Sequence, residues 1–118
     1  MYYIFTTNKM DINSITFKDL PNAYLEAAKR YAQAKANSEM LEESKKSVIA
    51  TDASTYEGSE ALRDRKARSS QSYKDYLKVA QQAKQTELEL RHTLIALTMK
   101  FDYCRAMQST ERAKMNLI

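Results

Sequence analysis

Glycine and proline, the residues that most often interrupt regular structure, are almost absent from this chain. Its 118 residues include one glycine, Gly58, and one proline, Pro21. A single glycine cannot build the glycine-rich loop that cradles phosphate groups. The residues after Pro21 are mainly Ala, Leu, Lys, Glu, Gln, Arg and Met, which favour helices. The composition therefore predicts long helices that are interrupted near Gly58.

Cysteine, histidine and long apolar runs are also scarce. Cys104 is the one cysteine, so no disulfide forms within the chain, and His92 is the one histidine. A lone histidine without cysteines at ligand spacing argues against a zinc site. No run approaches the roughly 18 apolar residues of a membrane span, and the N-terminus lacks the pattern of a signal peptide. We therefore expect a cytoplasmic protein with no metal, no cofactor and no membrane partner.

The second half of the chain carries the clearest apolar repeat. Alternating steps of three and four residues predict one helix over 70–108 with an apolar stripe along one face. We assign that stripe to a core or oligomer seam, and expect Leu77, Leu88 and Ile95 to widen it. The positions of this inner seam are Tyr73, Tyr76, Ala80, Ala83, Glu87, Leu90, Leu94, Leu97, Phe101 and Cys104.

The first half of the chain repeats the pattern more weakly over 22–53. Its positions are Tyr24, Ala28, Tyr31, Ala34, Ser38, Leu41, Lys45 and Val48. Polar residues such as Lys45 and Glu87 within apolar stripes either fix the register of pairing or reach water at the edge. Both alternatives stay open for these two residues.

Two long amphipathic segments predict an all-α fold, an elongated antiparallel helical hairpin of coiled-coil type in a single domain, 1–118. A short extended arm is expected over 1–20. The connecting segment, 55–69, is expected to turn at Gly58 and to contain a short helix from about Ser59. Because one thin hairpin offers little surface to cover the second stripe, we expect a homo-oligomer.

Positive charge is concentrated after the turn. The chain holds 19 Lys and Arg against 15 Asp and Glu, a net charge of +4, which permits a nucleic-acid partner without requiring one. The densest group is Arg63, Arg65, Lys66 and Arg68, and Lys74 and Lys78 follow it. Such side chains neutralise phosphates, and tyrosine rings can stack on unpaired bases. The alternatives are a solvated helix face for the charges and a core position for Tyr73 and Tyr76.

No combination of residues predicts catalysis. The neighbouring carboxylates Glu42 and Glu43, or Glu87 and Glu89, lie on helix faces without a partner base, and Cys104 occupies an apolar seam position. General acid–base or nucleophilic catalysis needs such groups in pairs. We therefore expect that the protein is not an enzyme.

Three short segments, residues 56–60 (YEGSE), 72–74 (SYK) and 101–105 (FDYCR), give the chain a resemblance to a known family. Over about 24–115 it resembles small phage-encoded recombination mediators of the UvsY-like group. The resemblance implies a phage accessory protein in the bacterial host cell that oligomerises, binds single-stranded DNA and loads a recombinase onto strands covered by single-strand-binding protein. Only the basic group at 63–68 matches the DNA-contacting segment expected for that family.

A second interpretation starts from residues 1–20, which have no counterpart in that family. A phage inhibitor of a host defence complex, for example an anti-CRISPR protein, would also be small and helical. It would bind its protein partner through a helix face. The sequence leaves both interpretations open.

Overall fold

Every regular element that the computed structural model describes, over residues 11–117, is helical. Two short 3-10 turns, Ile12–Ser14 and Phe17–Asp19, precede the helices α1 (Leu20–Glu43), α2 (Lys45–Ala53), α3 (Glu60–Arg68) and α4 (Gln71–Asn116). The predicted all-α helical hairpin is confirmed. The first part of the predicted extended arm, residues 1–10, lies outside the described residues.

The helix bounds differ from the expected ones at two places. The first long helix is divided at Ser44, whose hydroxyl donates to the Met40 carbonyl at 2.8 Å, a local bond that competes with regular helix geometry. The second long helix continues to Asn116 rather than ending at 108. Ser109 therefore lies inside α4.

The described residues form two compact units. The central unit is Gln33–Glu87, and the terminal unit comprises residues 11–32 and 88–117. Each unit has its own group of buried apolar side chains. The single-domain expectation stays a prediction.

The core of the terminal unit joins the start of α1 to the later part of α4. Leu20, Ala27 and Leu97 are at most 2% exposed, and Phe17 of the second turn stacks on Phe101 at 5.5 Å between ring centroids. Large Leu97 beside small Ala27 allows close packing of side chains. Residues 11–19, expected as part of an extended arm, are thus two packed turns.

Lys100 of α4 forms hydrogen bonds to this segment of turns. The ammonium group of Lys100 donates to the carbonyl oxygens of Ile12 and Ile15, both at 2.5 Å. Hydrogen bonds from a charged donor are stronger than neutral ones. Lys100 therefore supplies a donor to the Ile15 carbonyl and a second donor to the Ile12 carbonyl, which also accepts from the Ile15 amide at 3.3 Å.

The core of the central unit joins α2, α3 and the start of α4. Ile49, Ala67 and Tyr73 are buried, and Val48, Ala53, Tyr56 and Tyr76 pack against them. Ala67 is 0% exposed, because its small side chain lets α3 approach α2 closely. The hydroxyl of Tyr76 donates to the Leu41 carbonyl of α1.

All ten inner-seam positions of α4 are buried or half-buried. The residues expected to widen the seam are exposed instead: Leu77, Leu88 and Ile95 are 44%, 39% and 49% exposed. Each follows a seam residue by one position, and one position turns the side chain about 100° around the helix. That expectation was wrong because the seam is narrow.

Among the polar and aromatic residues of the predicted seams, some are buried and others are exposed. Glu87 is 7% exposed and pairs with Lys84 at 3.5 Å. Lys45 is exposed, and Tyr24, expected in the seam of α1, is 45% exposed. The buried positions of α1 begin at Leu20 and Ala27, and the other expected positions, Ala28, Tyr31, Ala34, Ser38, Leu41 and Val48, are buried or half-buried.

The chain turns at Gly58, as predicted. Gly58 has a φ of 115°, a backbone conformation that favours glycine, and a Cβ atom there would lie 2.8 Å from Leu62 Cδ2. Ser59 then caps α3, because its hydroxyl oxygen accepts from the Leu62 amide at 3.2 Å, and Glu60 stands in the positive first turn.

Candidate nucleic-acid interface

The basic side chains of α3 surround the helix rather than lining one face. Arg63 and the buried Ala67 are four residues apart and therefore share the face that packs on α2. Arg63 is half-buried, and its Nε atom is enclosed without a hydrogen-bond partner among the described residues. Its stem is thus part of the packing of α3.

Arg68 is held by an acidic neighbour. Its Nε donates to Asp64 Oδ2 at 2.9 Å, and this hydrogen bond and the charge of Asp64 raise the pKa of Arg68. Both side chains are about half exposed, so the pair is well solvated and contributes little to stability. A phosphate that binds Arg68 must compete with Asp64.

Arg65 and Lys66 are exposed on α3. Two positions after Arg63, Arg65 points about 200° around the helix and therefore away from α2. The ammonium group of Lys66 lies 5.8 Å from the ring centroid of Tyr56, where the π face attracts a cation. That contact limits the freedom of Lys66 and leaves its charge accessible.

Lys74 and Lys78 extend the exposed positive charge along the first turns of α4. They are four residues apart, which places them on one face of the helix, and both are exposed. Within residues 11–117 neither is in a salt bridge. The same holds for Arg65 and Lys66.

The tyrosines of this region belong to the core. Tyr73 is 7% exposed and stacks on Tyr76 with the ring centroids 6.0 Å apart. Burial raises the pKa of the Tyr76 phenol, and Tyr73 and Glu42 raise it further. Because Tyr73 is buried and the half-buried Tyr76 ring stacks on it, these rings leave little free face for base stacking.

The central unit has almost no excess charge. Its residues include ten Lys and Arg against nine Asp and Glu, a net charge of +1. A polyanion would therefore not be attracted by total charge. It would be held only where exposed cations stand without acidic partners, as at Arg65, Lys66, Lys74 and Lys78.

The sequence interpretation missed a polar groove on α2. It has a volume of about 390 Å³ and is lined by Ser44, Ser47, Val48, Thr51, Asp52, Thr55 and Ser72. Asp52 Oδ2 is enclosed without a partner among the described residues. The recurrence of Ser and Thr at 44, 47, 51 and 55 was the available signal, since three- and four-residue steps place side chains on one helix face. Asp52 is the one titratable side chain in the lining of the groove.

Other kinds of site find no support in residues 11–117. Their Asp, Glu, His and Cys side chains form no group that could hold a metal ion. None of their helices has the length and apolar character needed to cross a membrane. His92 is exposed on α4, and Cys104 is half-buried beside the terminal core.

The chain matches no protein-family model, no curated protein and no solved structure. The resemblance to UvsY-like mediators consequently stays a prediction that rests on the sequence segments quoted above.

Proposed function

We propose that this chain is a non-enzymatic accessory protein that binds single-stranded DNA through a basic surface. That surface, the basic edge, is formed by Arg65, Lys66, Lys74 and Lys78. The observation that carries the proposal is that these four side chains are exposed within one compact unit and are in no salt bridge among the described residues. Phosphate groups would supply the missing counter-charges.

The basic edge would bind strands without regard to sequence. The phosphate backbone carries no base information, so contacts to it position a protein rather than select a site. Stacking on aromatic rings is the usual second contribution to single-strand binding, and here Tyr73 is buried and the half-buried Tyr76 stacks on it. We therefore expect modest, salt-sensitive affinity from charge alone.

The proposal includes a role in recombination, supported by the resemblance to phage mediators. A protein that holds strands weakly by their phosphates can be displaced as a recombinase polymerises on the same strand. Tight, base-specific binding would block that exchange. Weak binding by a basic edge therefore suits an accessory role in which DNA is passed to another protein.

The test is fluorescence anisotropy with a labelled oligothymidine at low salt. The variant R65A/K66A/K74A/K78A should lose most of its affinity. The matched control K18A/K29A/R112A/K114A removes the same charge from exposed positions of the terminal unit and should bind nearly as the parent does. Equal losses in both variants would mean that net charge, and not the basic edge, determines binding.

A second candidate function is protein binding through a helix face, as in a phage inhibitor of a host defence complex. It is favoured by Tyr24 and Leu25, adjacent on α1 and 45% and 55% exposed, since exposed apolar groups mark interaction surfaces when they cluster. The variant Y24A/L25A should then abolish inhibition of defence in infected cells. A parent protein without affinity for single strands at low salt would favour this function over the first.

A further inference from the structure

Helix α4 has a second apolar face within the terminal unit. Leu88, Ile95 and Met99 are 39%, 49% and 66% exposed, although the opposite face of the same helix is buried in the core. Each outer position follows an inner-seam residue by one or two positions, which turns it by about 100° to 200°. We call this surface the outer face of α4.

The outer face has the spacing of a coiled-coil seam. Its positions alternate by four and three residues over five helical steps, and all of them are exposed. A stripe of this period is the arrangement by which two helices pair side by side. The positions are Leu88, His92, Ile95, Met99, Asp102 and Ala106.

We propose that the outer face binds the outer face of a second copy of this chain, with the two α4 helices antiparallel. In a two-fold pair the same patch must be complementary to itself. Pairing about the centre of the stripe puts Ile95 opposite Met99 of the partner subunit. It puts Leu88 opposite the partner's Ala106, a large side chain against a small one.

Charge complementarity identifies the second copy as the occupant. In this register His92 faces Asp102 of the partner subunit, and the symmetry repeats the contact on the other side of the axis. The imidazole can donate to the carboxylate, which satisfies the two polar groups in the stripe. A shift of seven residues loses both pairs and in one direction sets Asp102 against the partner's Met99, where a carboxylate would lack a partner.

The outer face also replaces the inner seam as the oligomer surface. Tyr73 and Leu97 are buried within their own units, and the other inner-seam residues are buried or half-buried, so the inner seam offers little surface to a second chain. The outer face spans about 27 Å between Leu88 and Ala106 at 1.5 Å per residue. So short a contact predicts a dimer that dissociates in the micromolar range.

Sedimentation velocity from micromolar to near-millimolar protein concentration tests the pairing. The parent should shift from 13.6 kDa toward twice that mass. Ile95→Asp places two carboxylates at the centre of the pair and should weaken it about 100-fold. The matched control Leu25→Asp, on the exposed face of α1, should dimerise as the parent does. A parent that stays monomeric, or a dimer that Ile95→Asp leaves intact, overturns the proposal.

A charge exchange tests the register. Asp102→Lys sets a cation against His92 of the partner subunit and should weaken the dimer at least tenfold, while H92D/D102K should recover most of the loss. A double variant no better than Asp102→Lys overturns the register. Circular dichroism checks that each variant keeps its helix content. The proposal does not rest on DNA binding, because Ile95→Asp leaves the basic edge intact and R65A/K66A/K74A/K78A leaves the outer face intact.

Discussion

Replacing Leu97 by alanine tests whether the inner seam of α4 is buried in the core of the terminal unit. Leu97 is 1% exposed and packs in the core with Leu20 and Ala27. Removing a fully buried leucine side chain loses its burial energy and leaves a cavity, which together cost about 2–5 kcal/mol. Leu25→Ala makes the same chemical change at a position 55% exposed, so its cost should be about 1 kcal/mol or less.

Urea unfolding followed by circular dichroism at 222 nm measures both free energies of unfolding. The protein concentration should be low enough to keep the chain monomeric, so that dimerisation does not add to the result. Leu97→Ala should shift the midpoint clearly below that of Leu25→Ala. Equal midpoints would refute the assignment of Leu97 to the core and, with it, the inner seam of α4.

Three further changes test single contacts. Gly58→Ala should destabilise by about 1–3 kcal/mol, measured by the same unfolding assay, because alanine is strained at positive φ. Lys100→Met removes two charge-assisted bonds and should speed hydrogen exchange in residues 12–19 while the middle of α4 stays protected. Tyr76→Phe should cost about 1 kcal/mol near pH 8. Folding raises the pKa of Tyr76. The contribution of the Tyr76 hydroxyl to stability is therefore present below the unfolded pKa of about 10 and is lost as the pH rises through the folded pKa. Parent and variant should consequently converge in stability at strongly alkaline pH.

The heptad pattern made the inner face of α4 predictable. Its ten positions recur at three- and four-residue steps over a stretch without glycine or proline, so local propensity and apolar period agree. The turn at Gly58 and the helix start at Ser59 were also predictable, because glycine allows positive φ and serine caps a helix. In α1 the alanines and tyrosines fit several registers, and the expected one wrongly included Tyr24 and Lys45.

The sequence alone could not predict which basic side chains of α3 are packed, paired or exposed. Arg63 and Arg65 look equivalent in a basic run, yet one packs toward α2 and the other is exposed, because two positions reverse direction on a helix. Arg68 pairs with Asp64, four residues earlier. The sequence contains both residues but does not indicate whether Arg68 binds Asp64 or stays solvated. Such outcomes depend on which face tertiary packing buries.

The two 3-10 turns, Ile12–Ser14 and Phe17–Asp19, could not be predicted from the sequence for a different reason. Ile12, Ile15 and Phe17 are isolated apolar residues without a period, so no local pattern assigns them a structure. Their order comes from contacts with α4, above all the stacking on Phe101 and the two bonds from Lys100. Contacts between residues so far apart in the chain leave no trace in local sequence.

The salt dependence of single-stranded DNA binding tests the proposed function most directly. Each phosphate contact contributes a slope of about −0.7 in log affinity against log salt concentration, so four contacts predict about −2.8 per chain. Removing Lys74 and Lys78 together should flatten the slope by about 1.4. A parent slope near zero, or a slope that the double variant K74A/K78A leaves unchanged, would contradict phosphate binding by the basic edge.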